Sequence, residues 1–599
     1  MGTSWLRRQQ LLNCLAYCEK EFGELGLEAA HSIGSAKREV RFNYSKISYP
    51  LLCCCALLAC IALAWPFAPT GFNDDWAYAH VALKLAETGE LQYNGWGSPT
   101  MLFQAFWGAA WIRTFGFSFD VLRAATIPFS LGFVLLVYAI ARRFALAPNF
   151  ALFAAITVGT SPLFLPMAAS FMTDVYGCFF ISLCIYAALA SAESASGALA
   201  AKWLWILAAS GILGGSDRQI VWVAPFILIP YLLWLRRQDR RFRIHAVAAY
   251  ALCIVSLAFI VVRLPHPPYS PLELSARQLL GVLLHRGVTG LSWIAKLALS
   301  LLLCALPAIV CLSVAWKKLG VVRLIESAIV SAAAAVLLLH QYGGRFGLAP
   351  FFGNILSPFG VLWPQDYALG YRPAVLPDRV REGLTWFLLF SIVAFGYLYV
   401  ARRAHFPRIP TAMIGLFSCA YAVLLFPGAL LGPGFLSDRY VLPLLPWLVI
   451  LILVAARSYI QAAPLAGWVC VLVFAAYGVA TTHDYFEGLR ARALAARALE
   501  DRGIPRTSIS AGLEYDGWTQ LQSGGIIKQL PLGHTFEGNS TDNLWYWQEE
   551  KGFRPQYVVS YWRVSDLPAG RLVTIPFRAC LPPFRRAVVV LKRADLPKP

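Results

Sequence analysis

The feature that most constrains this chain is its division into separate apolar runs of roughly 17 to 22 residues, each about one bilayer thickness in helical rise. Hydrocarbon offers backbone N–H and C=O groups no partner, so runs of that length fold as membrane-crossing helices. Composition agrees: 58% of the 599 residues are hydrophobic and only 14% are charged, where a soluble domain has about half and about a quarter. A soluble enzyme and a nucleic-acid reader are excluded, and the unbroken runs exclude a transmembrane barrel, whose strands alternate. The net charge of +19 does not point to nucleic acid, because its Lys and Arg lie mostly in short loops between apolar runs and in the tail.

Those basic clusters orient the chain, since short cytoplasmic loops collect Lys and Arg. They are Arg142 and Arg143; Arg236, Arg237, Arg240, Arg241 and Arg243; Lys317 and Lys318; Arg402, Arg403 and Arg408; and Arg457. Placing all of them and the N-terminus inside predicts spans near 48–67, 121–141, 147–167, 174–190, 202–216, 218–235, 245–262, 291–315, 321–340, 384–401, 411–431, 440–457 and 464–481. The expected fold is therefore an all-α polytopic membrane protein with about thirteen transmembrane helices and its C-terminus outside. Residues 1–47 carry seven basic side chains and are too long for the charged start of a signal peptide, so they are expected as a cytoplasmic segment before a retained anchor. Segment 99–115 is apolar but breaks the charge pattern if counted as a span, and its Trp and Phe content suits an interfacial helix.

The transmembrane domain is expected over 48–481, with outer loops at 68–120, 263–290 and 341–383, and a tail at 482–599. The tail opens with an amphipathic helical stretch ending at Gly503. Strand-like runs follow (TSISAGLEYDGW, QYVVSYWRV, RLVTIPF, RRAVVVLKR), predicting a small α/β extracytoplasmic domain. Eleven of the fourteen cysteines lie within apolar runs and read as small hydrophobes; Cys580 is alone in the tail, and no spacing suggests a disulfide framework or a metal site.

Chemistry concentrates in the first outer loop, at Gly71-Phe72-Asn73-Asp74-Asp75-Trp76-Ala77-Tyr78-Ala79-His80, followed by Lys84. Adjacent carboxylates at a membrane boundary can accept a proton from a hydroxyl substrate, or they can cap the helix that follows. Asp174 stands between two apolar runs joined on the outer side, where an isolated ionisable group is a functional candidate unless it too caps a helix. Arg218, in Ser216-Asp217-Arg218-Gln219, puts a cation at a third outer helix end, where it could bind phosphate bidentately.

These segments, FNDDWAYAHVALKLAETGEL, FGFSFDVLRAATIPFSLGFVLLVYAIARR, TSPLFLPMAASFMTDV, SDRQIVWVAPF and DRYVLPLLP, resemble the membrane glycosyltransferases of the GT-C fold. The pattern is similar to bacterial relatives of the protein O-mannosyltransferases and the lipid A aminoarabinose transferases, well over 48–235 and weakly beyond. The resemblance implies transfer of one sugar from a polyprenyl-phosphate donor to a lipid, glycan or protein acceptor, at the extracytoplasmic face of a cell membrane such as the bacterial inner membrane. It makes Asp74 or Asp75 the base, Asp174 the second acid, and Arg218 a contact of the donor phosphate; adjacent helical positions point about 100° apart, so only one of the two first-loop acids can face the site, and Asp75 is favoured, with Asp74 as cap or as a supporting group behind it. Tyr78 and Lys84 join the substrate-binding set. No His-rich or multi-acid metal site accompanies the motifs, so no cofactor is assigned and a divalent cation is carried only as an alternative.

Weaker candidates lie further along. Arg345, in Tyr342-Gly343-Gly344-Arg345, either covers the donor or belongs to a plain turn. Arg439, in Asp438-Arg439-Tyr440, is either a phosphate contact or, more commonly for such a position, an interfacial anchor. Glu514-Tyr515-Asp516-Gly517-Trp518 resembles a carbohydrate-contact cluster, though a strand end explains it equally. The rival function is a polytopic transporter or lipid flippase, but such proteins tend to place charges near the bilayer midplane and in matched halves, and here charges lie near span ends.

Overall fold

Helices fall where the apolar runs stand. The structure, a computed structural model, describes residues 48–96, 100–263, 294–341, 348–350, 354–362, 369–370, 375–402, 406–431, 437–525 and 555–593. Among the described residues, eight helices are long and apolar enough to cross a membrane, or nine if one bent pair counts as a single span. The protein is thus a mostly helical, multi-pass membrane protein.

In chain order the helices are α1 (Tyr49–Ala64), α2 (Asp75–Thr88), α3 (Leu102–Phe115), α4 (Phe119–Arg143), α5 (Pro148–Gly159), α6 (Thr173–Glu193), α7 (Gly197–Asp217), α8 (Val223–Leu235) and α9 (Arg240–Arg263). After them come α10 (Ile294–Cys304), α11 (Leu306–Ser313), α12 (Gly320–Gln341), α13 (Asp378–Arg402), α14 (Arg408–Leu431), α15 (Leu445–Ala456), α16 (Leu465–Glu500) and α17 (Leu513–Gly524). Every expected span overlies one of them, but not every one is a plain long helix. The run expected at 291–315 is broken, its two halves bent by 71°. Pro307, in the first turn of the second half, has no N–H with which to continue the first. The run expected at 147–167 gives only the twelve residues of α5, and turns follow where Pro162 and Pro166 interrupt it. Of the cysteines expected as buried hydrophobes, Cys55 and Cys419 are exposed on their helices.

Segment 99–115 contains α3, which is not among the spanning candidates. The end of α7 fixes it: Asp217 Oδ1 accepts the Gln104 N–H at 3.1 Å, and the Asp217 carbonyl accepts that of Met101 at 2.9 Å. Asp217 thereby satisfies donors in the first turn of α3, which no intrahelical carbonyl can reach.

The last expected span and the amphipathic opening of the tail form one helix of 36 residues, α16, running through position 481 without a break. Beyond it stands a sheet of β3 (Leu369–Gly370), β4 (Ile509–Ser510), β5 (Tyr557–Arg563), β6 (Val573–Arg578) and β7 (Arg585–Lys592). Its order is β3-β5-β7-β6, with β4 also on β5; β5, β7 and β6 are antiparallel neighbours, whereas β3 and β4 run parallel to β5. The sheet is therefore not built from the tail alone, because β3 comes from the third outer loop. The run TSISAGLEYDGW yields only β4 and then the helix α17, where Gly512, at φ 98°, reverses the chain. The other three strand-like runs are strands.

Helix α17 packs on α2 through aromatic rings. Trp518 stacks on Phe117 at 5.4 Å and meets His80 edge-on at 6.0 Å. Burial lowers the His80 imidazole to about 4, so it is neutral at physiological pH. Gly517 faces the Trp76 ring so closely that a Cβ there would lie 2.6 Å from it.

Arg123, fully buried on α4, binds the stretch leading from α1 to α2. It donates to Ala68 O at 2.7 Å and Thr70 O at 2.6 Å, and pairs with Asp120 Oδ1 at 3.0 Å. Asp75, the first residue of α2 and 1% exposed, sets Oδ2 3.8 Å from Arg123 Nη2 while its Oδ1 accepts the Phe72 N–H. Burial pushes this carboxyl up to about 7, more than Arg123 and the Phe72 N–H pull it down.

Two outcomes follow from this packing. Gly517→Val is expected to destabilise the protein by about 1–3 kcal/mol through overpacking against Trp76, read as a lower thermal unfolding midpoint; an unchanged midpoint contradicts the close contact. Asp75, raised from 3.8 to about 7, contributes stability that is fully present below the lower value and is lost as pH rises through the upper one. Asp516, raised likewise by burial to about 7, adds to that loss. Asp75→Asn keeps an acceptor for the Phe72 N–H but does not titrate, so its unfolding temperature should fall less steeply over that interval than the wild type's. Equal slopes would contradict the buried assignment.

Candidate active site

The chain enters α2 through a tight turn. Asn73 has φ 54°, a left-handed conformation that Asn adopts more readily than most residues, and Gly71 lies so close to Trp76 that a Cβ would meet its Cβ at 2.7 Å. Adjacent positions at a helix start point about 100° apart, and the two acids separate accordingly. Asp75 turns inward to Phe72 and Arg123. Asp74 turns the other way: its Oδ1 accepts the indole N–H of Trp96 at 2.9 Å and its Oδ2 meets Arg439 Nη2 at 3.0 Å. Neither makes the usual side-chain cap at the helix start, since Asp74 holds the N-cap position without such a bond.

Asp174 and Arg218 join the same neighbourhood. Asp174, in the first turn of α6, is 3% exposed and paired with Arg218, which follows the last residue of α7. Arg218 Nη1 also donates to Thr173 Oγ1 at 3.1 Å. Gly177 leaves the space, because a Cβ there would stand 3.0 Å from Arg218 Cδ. The two arginines share a ring: the guanidinium of Arg218 lies 5.1 Å from the Tyr440 centroid and that of Arg439 5.7 Å from it. Tyr440 is fixed in turn, its carbonyl accepting the Tyr421 hydroxyl at 2.8 Å.

Asp438 supplies the frame. Its carboxylate accepts the N–H groups of Ile355 at 3.0 Å and Leu356 at 2.6 Å, holding the two-stranded hairpin of β1 (Leu356–Ser357) and β2 (Gly360–Val361) against the turn that carries Arg439. The hairpin reaches the first loop through Asn354 Oδ1, which accepts from Asn73 Nδ2 at 3.1 Å.

Of the residues expected at the site, Asp74, Asp174, Arg218 and Arg439 come together. Tyr78, one turn beyond Asp74 on α2, is buried with them; burial first, then the Asp74 carboxylate, raise its hydroxyl pKa, while Arg439 lowers it. Lys84 does not join them; it is partly exposed and paired with Glu87 at 2.9 Å. Arg345 lies outside the described residues. Glu514 and Asp516 serve packing: Glu514 pairs with Arg492 at 3.1 Å, and Asp516 accepts from Ser510 Oγ at 2.7 Å and the Ala511 N–H at 2.9 Å. Trp96, Tyr440 and Asn354 were not legible as site residues; only Tyr440, beside Arg439, had any signal. Among the described residues, the one close group of metal-ligating side chains is His483, Asp484 and Cys580, which shares no member with this cluster.

Chemically the cluster offers two carboxylates and two guanidinium groups at the ends of several apolar helices. Arg439 keeps Nε and Nη1 buried and without a hydrogen-bond partner among the described residues, although its Nη2 is engaged by Asp74. A guanidinium with uncommitted N–H groups can donate to an oxyanion without leaving its carboxylate.

Residues 99–262, just over a quarter of the chain, match the family model described as dolichyl-phosphate-mannose-protein mannosyltransferase. No curated protein matches the chain significantly. Among solved structures, ArnT from Cupriavidus metallidurans bound to undecaprenyl phosphate is 12% identical over 91% of this chain and 98% of its own, with a TM-score of 0.35. The oligosaccharyltransferase of Archaeoglobus fulgidus is 13% identical over 76% of this chain and 57% of its own, at 0.41. The Saccharomyces cerevisiae protein O-mannosyltransferase Pmt1-Pmt2 complex bound to the sugar donor is 15% identical over 38% and 35%, at 0.30. Scores of this size carry no argument about the present fold. Over the segment 99–262, then, the chain is similar to that mannosyltransferase family, in keeping with the GT-C glycosyltransferases that its motifs resemble.

Proposed function

We propose that this enzyme moves one sugar from a polyprenyl-phosphate carrier to an acceptor hydroxyl on the extracytoplasmic side of a membrane, with Asp74 as the base. The observation that carries the reading is the Arg439 guanidinium, bonded to Asp74 through Nη2 while its Nε and Nη1 have no hydrogen-bond partner among the described residues. The description of the matching family, which names a dolichyl-phosphate sugar, supports the donor class.

In this reaction the acceptor oxygen bonds to the anomeric carbon, its proton passes to Asp74, and the bond from that carbon to the carrier phosphate breaks. The phosphate is already a good leaving group, so the protein has to orient the acceptor, accept its proton and hold the departing charge. Arg439, through its uncommitted N–H groups, and Arg218, beside the same tyrosine ring, hold that charge. Asp174 keeps Arg218 in place, and Tyr78 lines the wall beneath Asp74. Asp75, buried against Phe72 and Arg123, positions α2 rather than meeting substrate. The acceptor is a lipid, a glycan or a protein. The carrier's apolar chain stays in the bilayer while its head reaches the polar boundary, which accounts for a site at the ends of apolar helices.

This reading keeps the thirteen-span order, with both the first loop and the tail sheet outside. A reporter fused after Arg243 should then read cytoplasmic and one fused at the C-terminus extracytoplasmic; the same side for both removes at least one crossing. In a turnover assay with radiolabelled polyprenyl-phosphate sugars, Asp74→Asn is expected to lower kcat by about 100-fold to 10,000-fold, the range for loss of a general base, with carrier binding nearly intact. Arg439→Ala should weaken carrier binding by about 1.5–3 kcal/mol, the worth of a hydrogen bond to a charged group. Wild-type turnover in Asp74→Asn would remove the proposed base.

A further inference from the structure

Helix α16 leaves the last apolar run with His483 and Asp484 side by side, and the turn between β6 and β7 lies against it. Asp484 holds that turn. One of its oxygens accepts the Cys580 N–H; the other accepts the Leu581 N–H at 3.0 Å and an Arg586 N–H at 3.4 Å. Arg586 also donates to Leu581 O at 3.0 Å, closing the turn on itself. Backbone pinned in this way sets Cys580 Sγ 3.4 Å from His483 Nδ1, which is itself 3.2 Å from Asp484 Oδ1. A thiol, an imidazole and a carboxylate thus present donor atoms that all lie within 4.8 Å of one another.

Those separations suit one shared cation. Around tetrahedral zinc, bonds of about 2.0–2.3 Å leave neighbouring nitrogen and oxygen ligands about 3.3 Å apart and nitrogen and sulfur about 3.5 Å apart. A single ring nitrogen makes one good hydrogen bond at a time, so hydrogen bonding satisfies one of the two contacts of Nδ1, whereas a cation between the three donors satisfies both. The far side of the ring is arranged to match: Glu487 Oε1 lies 3.7 Å from His483 Nε2. A carboxylate there favours the proton on Nε2, which leaves the Nδ1 lone pair for a metal. Cys580 is exposed, so an ion can enter and water can take the fourth position. Thiolate and carboxylate together neutralise a dipositive charge, and the mixed sulfur, nitrogen and oxygen set suits the zinc class rather than calcium or magnesium.

We infer that His483, Asp484 and Cys580 form a binding site for one divalent transition-metal ion of the zinc class, which clips the β6–β7 turn to α16. On ligation the Cys580 thiol gives its proton to solvent and the metal takes its place. The inference is independent of the glycosyl-transfer reading, since it shares no residue with the proposed active site.

Full-length protein stripped with a chelator and titrated with Co²⁺ alone tests it. One equivalent is expected to bind with a thiolate-to-cobalt charge-transfer absorption that Zn²⁺ displaces. Cys580→Ser, at an exposed position that tolerates the change, should abolish the band. His483→Gln should weaken binding by more than the roughly 10-fold to 100-fold that loss of an outer-shell partner costs. Replacing Cys14 and Cys18 together by Ser should leave the band in place. Failure of the wild type to bind Co²⁺, or a band that survives Cys580→Ser, overturns the site.

Discussion

The ion pair between Asp74 and Arg439 is the contact around which the polar ends of the helices are arranged. It joins residues 365 positions apart, with side chains 15% and 12% exposed. Removing two charges from water costs several kcal/mol for each, and attraction at short range does little more than offset that. Such a pair is weak as a source of stability, so the surrounding construction is better understood as holding it than as held by it. Trp96 occupies the second oxygen of Asp74, and the loop bearing Trp96 is tied to α2 where Asn94 Nδ2 donates to Ala77 O at 2.6 Å. Asp438 fixes the turn that carries Arg439, and the hairpin it grips reaches back to Asn73.

The neighbouring acids show how one helix start serves two ends. Asp75 belongs to the scaffold, where Arg123 gathers the chain leaving α1 onto α4. Asp74 belongs to the polar cluster. The rotation between successive helical residues separates the roles, so a shift of one position at this turn would exchange them. Helix α17 constrains the turn further, since its Gly517 lies directly over the Trp76 ring that follows the two acids. The C-terminal region thus bears on the first loop through aromatic packing, and none of its described residues joins the cluster.

Much of this was legible in the sequence where a signal was local. Apolar runs located the helices, and the residues that the sequence singles out include Asp74, Asp174 and Arg218, which the structure brings together beside Arg439. What a linear reading could not supply was rotation and pairing. It favoured Asp75 over Asp74, because nothing in the sequence announces that Arg123, 48 positions on, lies beneath Asp75. It treated Arg439 chiefly as an anchor, since an arginine at a span end looks the same whether it faces lipid headgroups or a carboxylate. Lys84 was expected in the substrate-binding set but pairs with Glu87 one turn away. The break at Pro307 and the unbroken α16 are opposite errors of one rule: hydropathy marks where a run is apolar, not where its hydrogen-bond ladder stops. The two-residue strand β3 and the meeting of Cys580 with His483 depend on contacts far apart in the chain, which periodicity cannot register.

The central claim is that the uncommitted N–H groups of Arg439 receive the carrier phosphate while its Nη2 keeps Asp74. A structure of the protein with a polyprenyl phosphate bound tests it most directly. The account predicts the phosphate against Arg439 Nε or Nη1 and near Arg218, beside the Tyr440 ring, with the Asp74 to Arg439 pair intact. A phosphate seated elsewhere, out of reach of Arg439, would contradict it.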